Sequence, residues 1–109
     1  MYKYNIYVGQ FDKDTKEQVL SNTEFLNRVR SVMRSMHIDN YTIYKCKGHY
    51  KHADNTTVCE PSINIEMIRK GVFLYQQLNS FKVRLCKELN QEDVLITKTE
   101  VEILWKLDT

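Results

Sequence analysis

The chain has 109 residues, 42% hydrophobic and 28% charged, with a net charge of +2. That is enough apolar material for one core without staples, and the near-neutral charge lacks the basic footprint of a general nucleic-acid binder. No apolar run approaches the roughly 20 residues of a membrane span. The start, Met1-Tyr2-Lys3-Tyr4-Asn5, has no signal-peptide stretch. A cytoplasmic location is therefore expected, with Cys46, Cys59 and Cys86 as reduced thiols. Lysine outnumbers arginine, and Asn, Ile and Tyr are abundant. This bias belongs to AT-rich coding sequences, common in bacteria and their phages.

Tyr4, Ile6 and Val8 alternate with Asn5, Tyr7 and Gly9, which predicts a strand with one buried face. Residues 10–17 are polar and read as a loop. Ser21 and Glu24 form a capping box and Leu20 with Phe25 a hydrophobic staple, so a helix starts there. Phe25, Val29, Val32, Met33 and Met36 form its core stripe. Asp39-Asn40 breaks it. Residues 41–51 and 57–67 are two β-rich runs around the turn sequence Ala53-Asp54-Asn55-Thr56. A second helix is expected over 72–89, with Leu74, Leu78, Phe81, Leu85 and Leu89 on one face. A long last strand is expected over 94–105. No repeat or linker divides the chain, so one domain is expected. The β-α-β-β-α-β order predicts an α+β, ferredoxin-like fold: a four-stranded antiparallel sheet with both helices on one face. Right-handed crossovers place the first and third strands in the centre.

With the hairpin turn centred on Asp54-Asn55, His49 faces Glu60, Lys47 faces Ser62 and Lys45 faces Asn64. Tyr50, Gly48, Cys46 and Tyr44 then share the apolar face. This register separates polar from apolar residues along both strands. The polar face, joined by Asn5 and Tyr7, looks away from the helices. It is either a solvated sheet face or a binding surface, because Tyr7, His49, Glu60 and Ser62 combine stacking, charge and hydrogen bonding. Cys46, His49, His52 and Cys59 contain zinc-type donors, but residues three apart on a strand point to opposite faces, so no metal site is expected. His49 beside Glu60 has the make-up of a general-base pair. No P-loop, GxGxxG, HExxH or nucleophile elbow is present, and Glu60 and Glu66 on the third strand disfavour RNA recognition. On the last strand Thr97, Thr99, Val101, Ile103 and Trp105 share a face. Val101, Ile103 and Trp105 are expected as interface residues of a homo-oligomer.

The motifs Ile6-Tyr7-Val8-Gly9, Gly48-His49-Tyr50, Glu60-Pro61-Ser62 and Asn90-Gln91-Glu92-Asp93-Val94-Leu95 together resemble a family of short, uncharacterised bacterial and phage proteins. Its members carry an aromatic-x-Gly first strand, a Gly-x-aromatic hairpin strand, a Glu-x-Ser return strand and a Gln-Glu-x-Val-Leu final strand. This sequence departs from the pattern in having Tyr50 where Trp is frequent. The resemblance implies the α+β fold and places Tyr7, Gly9, Gly48, Glu60, Ser62 and Gln91 at motif positions.

The expected ligand-binding set is Tyr7, Gly9, Lys45, Lys47, His49, Glu60, Ser62, Asn64 and Gln91. The leading expectation is a phage-encoded, non-enzymatic protein of the host cytoplasm, sequestering a nucleotide second messenger of bacterial defence without a cofactor. The ligand would be a cyclic nucleotide or an ADP-ribose derivative. Lys45 and Lys47 would hold phosphate, Tyr7 would stack a base, and Glu60 with Ser62 would meet a ribose or base edge. Two alternatives stand beside it: an inhibitor docking on a host protein through the fourth strand, and a small enzyme using His49 and Glu60.

Overall fold

The computed structural model describes residues 1–51 and 54–105. The elements are β1 (Tyr2–Gly9), α1 (Asn22–Ser35), β2 (Thr42–Lys51), β3 (Thr57–Arg69), α2 (Tyr75–Leu89) and β4 (Leu95–Glu100). The strands form a four-stranded sheet in the order β2-β3-β1-β4, and each adjacent pair is antiparallel. This is the α+β, ferredoxin-like arrangement, with β1 and β3 central.

Local signals explain where the helices begin. Ser21 has an extended backbone and its hydroxyl accepts the Glu24 N–H at 3.1 Å, satisfying one orphan donor. The Glu24 side chain turns forward to Arg28 instead of back to the cap, so only half of the expected capping box forms. Helix α2 starts later than the pattern suggests. Phe73 is drawn into the core, where its N–H donates to the Tyr4 hydroxyl at 2.9 Å. Leu74, expected in the apolar stripe, stays 61% exposed. Gln77 caps the helix by accepting the Leu74 N–H at 2.8 Å.

The core lies between one sheet face and the helices. Tyr4, Ile6 and Val8 of β1 and Ile63, Ile65 and Met67 of β3 meet Phe25, Val29, Val32 and Met33 of α1 and Phe81, Leu85 and Leu89 of α2. Tyr4, Phe73 and Phe81 pack edge to face, an arrangement favoured by the ring quadrupoles.

The hairpin register differs from expectation by one residue. Gly48 pairs with Glu60, Cys46 with Ser62 and Tyr44 with Asn64, while His49 pairs with Cys59, Lys47 with Pro61 and Lys45 with Ile63. A one-residue slip turns every side chain of β2 over. Tyr44, Cys46, Gly48 and Tyr50 therefore share the open face with Glu60 and Ser62, and Lys45, Lys47 and His49 point to the other side. Two causes are visible. Residues 52–56 separate the last pair, Lys51 and Thr57, with Asn55 left-handed at φ 69°. The pairing with β1 also stops at Gly9 and Ser62. Beyond it, residues 47–51 and 57–61 form a two-stranded arm with no core to dictate which face is apolar.

The final strand is shorter than expected. β4 has six residues, and its pairing ends with Tyr2 opposite Glu100, where β1 begins. Val101 makes one more bond, its N–H donating to the Met1 carbonyl at 2.9 Å. Ile103 and Trp105 lie past the sheet, Trp105 being 77% exposed. They do not continue a strand face with Thr97 and Thr99.

Candidate functional site

A cleft of about 590 Å³ opens where β1, the arm and two loops meet. Tyr7, Gly9, Cys46, Gly48, Tyr50, Glu60 and Ser62 line it from the sheet and arm. The loop after β1, from Phe11, and the segment Gln91–Leu95 close its other side.

Two glycines shape its floor. A Cβ on Gly9 would lie 2.5 Å from Glu60 Oε1. A Cβ on Gly48 would collide with the Tyr50 ring. Bare backbone at these positions lets the Glu60 carboxylate and the Tyr50 ring lie across the strands.

Glu60 is 9% exposed. Its Oε2 accepts the Phe11 N–H at 2.8 Å, and among the described residues no donor reaches Oε1. The carboxylate is thus held by one oxygen, with the other available to a ligand. Gln91, 8% exposed, donates its side-chain amide to the Phe11 carbonyl at 2.8 Å and the Leu89 carbonyl at 3.3 Å. Asn90 ends α2 in the left-handed region at φ 49°. Its amide donates to Asp12 Oδ1 at 2.6 Å and Asp14 Oδ2 at 2.9 Å. That amide, followed by the Thr15 and Asp14 N–H groups, holds the Asp12 carboxyl below its usual range. Across the mouth, Lys16 meets Glu92 at 3.3 Å. Lys82 bonds Asp93 at 3.1 Å, which keeps the Asp93 carboxyl low and the Lys82 ammonium high.

Of the expected ligand-binding set, Tyr7, Gly9, Glu60, Ser62 and Gln91 come together around this cleft; Lys47 borders it on β2, although its place opposite Pro61 turns it to the other face. All six positions singled out by the family resemblance line the cleft. Lys45, His49 and Asn64 are placed elsewhere. Lys45 is opposite Ile63 on the other face. His49 sits with its Nε2 3.8 Å from Cys59 Sγ, also on the other face, so it does not pair with Glu60 as a general base. Asn64 donates to Asn5 at 3.1 Å further along the open face. Cys46 faces away from His49 and Cys59, and His52 lies outside the described residues. Among the described residues no three His, Cys, Asp or Glu side chains converge as metal ligands.

Cys46, Tyr50, Phe11, Glu92 and Asp93 were not among the expected site residues. The signal for Cys46 and Tyr50 was the Tyr44-x-Cys46-x-Gly48-x-Tyr50 alternation, which reads as a core face yet belongs to the cleft. Phe11 carried no local signal, because its backbone does the work.

No protein-family model and no curated protein matches the chain. Among solved structures, a phage SAM lyase in complex with S-methyl-5'-thioadenosine has a TM-score of 0.68 and 16% identity, over 91% of this chain and 80% of that one. A phage SAM lyase in the apo state has a TM-score of 0.63 and 18% identity, over 97% and 92%. At such identities the likeness shows the fold. Both neighbours are lyases, a finding that overturns the expectation of a non-enzymatic, sequestering protein. Among the described residues no helix is long and apolar enough to cross a membrane.

Proposed function

We propose that this protein is a phage-encoded enzyme that cleaves S-adenosylmethionine and releases S-methyl-5'-thioadenosine. The observation that carries this reading is the Glu60 carboxylate, anchored through one oxygen in a cleft lined by Tyr7, Phe11 and Tyr50. The substrate carries an ammonium and a sulfonium on a thin chain, attached to a flat base. A carboxylate beside aromatic faces suits such a cation. The shared fold with two phage SAM lyases supports the substrate class.

The chemistry makes few demands on the protein. A lyase breaks the bond without water. The electron pair of the Cγ–S bond leaves on sulfur, which becomes the neutral thioether of S-methyl-5'-thioadenosine. An oxygen of the substrate's own α-carboxylate forms the replacing bond to Cγ, closing homoserine lactone. Atoms and charge balance with no proton transferred. A protein nucleophile and a general base are therefore unnecessary, which accounts for a cleft built without a Ser-His or Cys-His pair. Carboxylate and sulfonium charges cancel as the bond forms, so shedding water from these two groups on binding favours the transition state over the solvated ground state. Glu60 Oε1 takes the α-ammonium, whose charge does not change, and this holds the carboxylate near Cγ. Lowering the methyl donor in the host cytoplasm would serve an anti-defence role against methylation-dependent systems.

The test is incubation of the purified protein with S-adenosylmethionine, followed by mass spectrometry. S-methyl-5'-thioadenosine with homoserine lactone is expected, and Glu60→Gln should lose both. Intact substrate after prolonged incubation would reject the reading. A vinyl amino acid in place of the lactone would replace ring closure by elimination.

A further inference from the structure

We propose that Gln91 is a positioning residue of this site, acting on Glu60 through the backbone of Phe11; the inference rests on the cleavage reading above. Gln91 lines the cleft, yet both its side-chain amide bonds run to protein carbonyls, at Phe11 and Leu89. Its donors are committed before a ligand arrives. Phe11 is held from both sides: its carbonyl by Gln91 at 2.8 Å and its N–H by Glu60 Oε2 at 2.8 Å.

Gln91 is itself well placed to act as an anchor. Its backbone N–H donates to the Cys86 carbonyl at 2.9 Å, after the left-handed turn at Asn90. The neighbouring Lys13 N–H donates to the Asn90 carbonyl at 2.9 Å. The end of α2 thus holds the loop after β1, and that loop holds Glu60. Glutamate is a long side chain with freely rotating bonds, and a single charge-assisted bond to Oε2 aims Oε1 into the cleft. Removing the Gln91 donor leaves the Phe11 carbonyl unheld and lets its N–H drift from the carboxylate.

Gln91→Met keeps an unbranched side chain of similar length and removes the amide, its donors and its acceptor oxygen together. Two measurements read the effect. In the ¹⁵N-labelled protein, amide exchange at Phe11 should accelerate at least about tenfold, as a local opening, while amides of β1 and β3 keep their protection. In turnover, kcat/KM for S-adenosylmethionine should fall about 10- to 100-fold, because a misaimed Glu60 both binds the α-ammonium less well and leaves the substrate's carboxylate further from Cγ. If Phe11 exchange is unchanged, the inference is wrong. If Phe11 exchange accelerates while kcat/KM stays within about threefold, the bond to Phe11 does not aim Glu60 and the inference is also wrong. If the wild-type protein cleaves nothing, the cleavage reading fails, and Phe11 exchange still decides whether Gln91 controls the bond to Glu60. Should Gln91→Met not fold, Gln91→Ser reads the same amide.

Discussion

Gly9→Ala separates the cost to the fold from the cost to the site. The backbone at Gly9 is ordinary strand, since no glycine here has a positive φ, so alanine fits the chain without strain. The added Cβ meets Glu60 instead, at 2.5 Å from Oε1, 2.7 Å from Cδ and 2.9 Å from Oε2. Reaching ordinary contact at 3.4 Å requires the carboxylate to retreat by about 1 Å. Oε2 itself must shift by about 0.5 Å, which stretches its 2.8 Å bond to the Phe11 N–H to the edge of hydrogen-bonding range. A hydrogen bond to a charged group contributes about 1.5–3 kcal/mol, and replacing glycine inside a strand returns about 0.5–1 kcal/mol. The net loss is at most about 0.5–2.5 kcal/mol, or a midpoint lower by roughly 3–15 °C for a domain of this size. The effect on chemistry is larger, because a misplacement of about 1 Å costs about 100-fold in rate. Thermal unfolding and release of S-methyl-5'-thioadenosine, measured on the same preparation, check both numbers. A variant that unfolds near the wild-type temperature and keeps its rate within threefold would refute the placement of Glu60 over Gly9.

Phe81→Ala removes a fully buried ring from the edge-to-face cluster with Phe73, and should destabilise by about 3–5 kcal/mol, read by denaturant unfolding. Ser21→Ala removes the cap bond to Glu24 and should cost about 1 kcal/mol with no change in turnover. Asn90→Ala releases Asp12, whose carboxyl is held below its usual 3.8 chiefly by the Asn90 amide. A lowered carboxyl contributes stability above its unfolded value and loses it as pH falls through the folded one. The part of the wild-type advantage in melting temperature carried by Asp12 should therefore be full at neutral pH and fade below about pH 4, leaving the pH-independent part that comes from the left-handed backbone at Asn90. An advantage wholly independent of pH would mean that Asn90 acts only through its left-handed helix end and not on Asp12. Tyr50→Ala should raise KM for S-adenosylmethionine, since the ring lies across Gly48 beside the cleft; an unchanged KM would remove Tyr50 from the binding surface.

The periodicities of the chain determine the element order, the central places of β1 and β3, and most of the core. Tyr4, Ile6 and Val8, the α1 stripe, and Phe81, Leu85 and Leu89 are all legible, because each apolar set has a helix or sheet face to match. The hairpin register is not legible. Tyr44, Cys46, Gly48 and Tyr50 alternate as a core strand does, and only the tertiary structure shows that the arm leaves the helices behind, so that these residues face a cleft. That single slip moved Lys45 and His49 off the site and brought Tyr50 onto it. The length of β4 was likewise decided in three dimensions, by the point where β1 runs out of partners. Glu60 and Ser62 keep their face under either register, because β3 is tied to β1 as well as to β2. Their bonding is another matter. The bond that holds Glu60 comes from the Phe11 N–H, 49 residues before it, and Gln91, on the far side of α2, holds the Phe11 carbonyl. Backbone groups carry no signature in sequence, so a site assembled through them exists only once the chain has folded.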